Sequence, residues 1–146
     1  MSVCTLFGHS QCYGLDANVL MNALEQLIQK GVDTFYVGNQ GDFDRMAFEC
    51  LRRLHLVYSH ISYTVVLAYL PTKRQEYDAY DGNTLYPQGL ETVHRRFAIS
   101  RRNKWMIEHS DVCLCYITHT WGGAYQAVCL AKRRGLEIVN LSDKEI

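Results

Sequence analysis

The chain has 146 residues, 48% of them hydrophobic, and its 15 basic side chains cancel its 15 acidic ones. That length suits one domain spanning 1–146, which buries roughly 68–70% of the surface of its unfolded chain and needs no staple to hold a core. The neutral balance argues against a dedicated nucleic-acid coat, which carries a basic excess. With no apolar run of the ~18 residues that cross a bilayer and no signal-like opening, a soluble, cytoplasmic protein without a membrane partner is expected.

Residues 3–8 form a β-rich run ending in Gly8. Asp16 is placed to cap a helix, because Val19, Leu20, Ala23, Leu24, Leu27 and Ile28 follow at helical spacing and Gly31 closes the segment. Residues 33–38 read as a second strand. Asp42 or Asp44 can cap the next helix, with Met46, Ala47, Cys50, Leu51 and Leu54 facing inward. A third strand over 63–69 is stopped by Pro71. Residues 71–93, rich in Tyr, Asp, Gly and Pro, read as a long loop of the kind that serves as a mobile cover or a dimer contact. A helix follows over 97–109, then a fourth strand over 111–118. Residues 123–134 read as a helix with Lys132, Arg133 and Arg134 at its negative end and Gly135 to stop it. The last strand is 137–141.

Strands alternating with helices predict an α/β fold, a Rossmann-like doubly wound parallel sheet with helices on both faces. Right-handed crossovers give about five strands in the order 3-2-1-4-5. The first and fourth strands are then neighbours, and ligands bind at their carboxyl ends. Gly8, His9 and Ser10 would face Thr118, His119, Trp121 and Gly122 there.

The stretch 111–124 is the most informative. An apolar strand runs into Gly122-Gly123 and then a helix, which leaves the N–H groups of Gly122, Gly123 and Ala124 at a helix N-terminus, where phosphate binds. The competing reading is an ordinary turn. Residues 38–47 also join strand to helix, and Gly41, Asp42 and Asp44 would sit near a ribose or serve only as caps. Arg102 would supply charge to a phosphate, or belong to a solvated basic face with Arg95, Arg96 and Arg101. Asn103 has poor helix propensity and needs a local partner. His9 and His119 would act as acid and base, donate to phosphate, or be polar loop residues. Trp121 and Tyr13 would stack on a base or cover the core.

Other chemistries lack their signatures. The six cysteines include no CxxC pair and read as buried small hydrophobes, with Cys113 and Cys115 on one face of one strand. The histidines show no metal-ligand spacing. No GxSxG, HExxH or Walker lysine loop occurs.

Phe7-Gly8-His9, the segment 38–47, Ser100 to Asp111 and Thr118-His119-Thr120-Trp121-Gly122-Gly123 together resemble the SLOG superfamily. That superfamily joins Smf/DprA DNA-processing domains with Lonely-Guy phosphoribohydrolases, and the chain looks closest to its bacterial YpsA-like branch. The resemblance implies a Rossmannoid domain for nucleotides or nucleotide-derived ligands, and a homodimer. Lonely-Guy enzymes carry Pro-Gly-Gly-x-Gly-Thr-x-x-Glu with a catalytic glutamate. Here Gly122 and Gly123 match, but Tyr125, Gln126 and Cys129 stand in place of the later Gly, Thr and Glu. A thiol cannot replace that carboxylate, while Arg102 matches the phosphate-binding arginine of those enzymes. The expectation is a sensor or binding module for a phosphorylated small molecule, with no other cofactor. The alternatives are a hydrolase or transferase acting on an N-glycosidic or phosphate bond through Asp44, Glu91 or His119, and a protein-interaction adaptor with a degenerate site.

Overall fold

The computed structural model describes residues 2–146. The first run is β1 (Ser2–Gly8), at the middle of a sheet with β2 (Val32–Val37) on one edge and β5 (Val112–Tyr116) on the other. A strand paired on both edges and covered on both faces has no place for an exposed side chain. That is why β1 and β5 are mostly apolar rather than alternating, with Thr5 the buried polar exception.

Beyond β2 lie β3 (Ser62–Val66) and β4 (Thr84–Leu85), and beyond β5 lies β6 (Glu137–Asn140). The order is β4-β3-β2-β1-β5-β6, and every pairing is parallel. The predicted order 3-2-1-4-5 is present inside it. The sheet has six strands rather than five, because the segment 71–93 adds one at the edge.

Helices α1 (Ala17–Gln29) and α2 (Asp42–Val57) cover one face. Leu20, Leu24 and Leu27 of α1 and Phe43, Leu51 and Leu54 of α2 pack there with Leu6 and Leu114. Helices α4 (Ala98–Glu108) and α5 (Gly123–Arg133) cover the other, where Met106, Ile107, Val128 and Ala131 meet Phe7, Cys113 and Cys115. The two cysteines do share a face, and all six are free thiols. Asp16 caps α1 as expected, accepting from the Asn18 N–H at 2.7 Å. Helix α2 departs from expectation. Its N-cap is Gly41, and Asp42 and Asp44 lie inside the first turn.

Residues 71–93 are not one long loop. They contain α3 (Arg74–Asp78), β4 and a short 3₁₀ turn (Leu90–Thr92). Tyr77, Tyr80 and Tyr86 pack on the core beneath α1 and α2, and Arg52 of α2 binds Asp81 at 3.0 Å and the Ala79 carbonyl at 3.1 Å. A five-residue helix and a two-residue strand are too short to show a hydrophobic period, so the tyrosines read as loop composition.

Candidate functional site

Register brings the site together. Gly8 of β1 lies opposite Tyr116 of β5, so the residues that follow each strand emerge side by side. A crevice of about 570 Å³ opens there, lined by loops after β1, β2 and β5 and by α4.

Helix α5 starts at this crevice. Its N-cap, Gly122, has φ 94° and ψ 170°, a conformation open almost only to glycine. No side chain caps the helix, and its first turn holds no acidic residue. Among the described residues, no hydrogen bond engages the N–H of Gly122, Gly123 or Ala124. A Cβ on Gly123 would meet nothing within 4 Å. Residues with unpaired N–H groups, at the positive end of the helix dipole, therefore line the crevice.

Arg102 forms part of the opposite wall from α4. It is 3% exposed, not on a solvated face. Its Nη1 donates to the Val66 carbonyl and its Nε to Asn103 Oδ1, both at 2.9 Å. Asn103 thus has the partner its mid-helix position demanded, and it orients the arginine. Nη2 makes no hydrogen bond among the described residues. Asp44 is also buried on this wall, and its Oδ2 accepts from the Gln40 N–H at 2.8 Å. Burial pushes its carboxyl up to about 6, against the Gln40 amide and the Arg102 charge, which favour the anion.

His9 and His119 do not stand across a gap. Because β1 and β5 are adjacent, the two imidazoles stack, with centroids 3.6 Å apart and planes 17° off parallel. His9 is buried, and its Nε2 accepts from the Thr118 N–H at 3.1 Å, which places its own proton on Nδ1. Burial and then His119 hold its pKa below the usual histidine value. Buried Nδ1 of His119 has no partner. Its other face carries Trp121 at 3.8 Å.

Of the residues the sequence singles out, Gly8, His9, Ser10, Asp44, Arg102, Asn103, Thr118, His119, Trp121, Gly122, Gly123 and Ala124 all line the crevice. Three do not. The Cβ position of Gly41 lies against Ser10, and Asp42 donates its N–H to the Ser10 carbonyl while its carboxylate pairs with Arg45. Glu91 is exposed in the 3₁₀ turn and is not among the lining residues. Conversely, Gln11, Gln40 and Ile99 line the crevice unannounced. Nothing in a loop glutamine or a helical isoleucine marks it in sequence. Among the described residues no helix is long and apolar enough to cross a membrane.

No protein-family model matches the chain, and no curated protein matches it in sequence. A solved structure does match in three dimensions, DNA processing protein A (DprA) from Streptococcus pneumoniae. The chain shares that fold. The TM-score is 0.70 at 11% identity, over 95% of this chain and 50% of that one. The chain therefore spans about half the length of DprA, and at this identity the likeness is one of architecture. It bears out the Rossmann-like sheet that the resemblance implies.

Proposed function

We propose that this protein binds a phosphorylated small molecule, a nucleotide or a nucleotide-derived compound, at the carboxyl ends of β1 and β5, as a sensor or binding module. The observation that carries this reading is the row of unpaired N–H groups at Gly122, Gly123 and Ala124. These sit at the start of an eleven-residue helix, beside a 570 Å³ crevice with a buried arginine in its wall. Amides and a guanidinium suit a phosphoryl group, which offers several acceptor oxygens and a full charge. The missing glutamate at Cys129 favours binding over glycosidic cleavage.

The test is a calorimetric titration of the full chain with a panel of nucleoside and sugar phosphates. Gly123→Val should lower affinity at least roughly tenfold, because its branched side chain occupies the space before the amides. Helix content should be unchanged, since the position is open and has an ordinary φ. Unchanged affinity in the variant removes the cradle. One observation favours a second reading: the Asp44 carboxyl, about 6, lies in the same wall and suits proton transfer near neutrality. Turnover of any panel member, abolished in Asp44→Asn, would make the protein a hydrolase or transferase.

A further inference from the structure

The wall of the crevice carries more than an anion site. Among the described residues three Phe, Tyr or Trp side chains are strongly exposed, and of these Phe97 is covered by the Arg96 guanidinium at 4.8 Å from its ring. The other two, Tyr13 at 80% and Trp121 at 68% exposure, line the crevice. Trp121 is not loose. The Thr118 N–H fixes His9, His9 stacks on His119, and His119 stacks on one face of the indole. The planes lie 17° and 19° from parallel at spacings of 3.6 and 3.8 Å. The other indole face has no aromatic partner among the described residues. A large apolar ring held rigid from behind and bare in front is prepared for a flat guest, because little side-chain entropy remains to be lost on binding. Trp121 also immediately precedes the free amides, and consecutive Cα atoms are only about 3.8 Å apart. A ring on the indole and a phosphate on Gly123 are then within the span of one molecule.

We propose that the outer face of Trp121 is the seat of a planar heteroaromatic ring, so that the ligand keeps its nucleobase and is not a bare sugar phosphate. This rests on the phosphate site proposed above and adds the ring to it. Sequence-tolerant stacking accepts any base, because every base offers a π face. Selectivity among the four bases is expected to be weak beside selectivity for having a base.

The experiment compares ribose 5-phosphate, the four nucleoside 5′-monophosphates and adenosine as calorimetric probes of the full chain. The monophosphates should bind between ~5-fold and ~100-fold more tightly than ribose 5-phosphate. They should also quench tryptophan fluorescence, and the quenching should be missing in Trp121→Ala, which retains Trp105. Trp121→Ala should bring the ratio between the monophosphates and ribose 5-phosphate close to unity. Trp121→Phe should recover part of the difference. Equal binding of ribose 5-phosphate and the monophosphates, or a ratio untouched by Trp121→Ala, overturns the ring seat and leaves the phosphate site standing. Adenosine binding as tightly as its monophosphate overturns the phosphate site and leaves the ring seat. Failure of every probe to bind overturns both.

Discussion

Two turns of this molecule share a plan and differ in outcome. Each joins a parallel strand to a helix through a glycine N-cap with extended ψ: Gly41 at φ 98°, ψ −171° before α2, and Gly122 at φ 94°, ψ 170° before α5. Neither helix has a side-chain cap. The turn before α2 has acceptors of its own. Ser10 takes the Asp42 N–H at 2.8 Å, Asp44 takes the Gln40 N–H at 2.8 Å, and two carboxylates sit in the first turn against the helix dipole. The turn before α5 has no acidic residue in its first turn and no internal acceptor for its N–H groups. A strand, a glycine and a helix do not make an anion site. What decides is whether the protein supplies its own acceptors.

Glycine replacement grades this difference by chemical denaturation. Gly41→Ala should be the most damaging. The new Cβ would lie 2.4 Å from Ser10 Cα in a region of φ/ψ space closed to other residues, for a loss of roughly 3–5 kcal/mol from overlap and strain together. Next comes the carboxyl that accepts in the α2 turn. Its pKa rises on folding from 3.8 to about 6. Between those values the folded chain holds a proton that the unfolded chain has released, so stability falls as pH rises through that window, by at most about 3 kcal/mol. Stability measured from pH 4 to pH 7 should show this fall in the wild type relative to Asp44→Asn. A difference curve that is flat or rises with pH would mean the carboxyl is not held as described. Gly122→Ala should lose only the strain, about 1–3 kcal/mol, since the nearest atom is His119 Cε1 at 3.9 Å. Gly123→Ala, with neither strain nor contact, should stay within ~0.5 kcal/mol of wild type. If Gly41→Ala and Gly122→Ala lose the same amount, the two turns are equally open and the contrast between them fails.

Much of the architecture was legible. The apolar runs at 3–8 and 111–118 announce strands buried on both faces, and the spacing of Leu20, Leu24 and Leu27 announces a helix lying on them. The edge of the sheet was not, because β4 is two residues long and its helix five. At the site, the Gly122-Gly123 turn was marked by what precedes and follows it. The stack of His9 on His119 was not marked, because these residues lie 110 positions apart in sequence and meet only through the parallel register of β1 and β5. Nor was the burial of Arg102, which a helical wheel leaves undecided until the Val66 carbonyl is in place to receive it.

Hydrophobic order along the chain determined that there would be a parallel sheet with helices on both faces, since only that arrangement buries such strands. It also determined that two glycine turns would open at one edge. Tertiary structure alone decided which turn stays open. A backbone N–H is satisfied or free according to the acceptor that another segment brings within about 3 Å. The Ser10 carbonyl arrives at Asp42, and nothing arrives at Gly123.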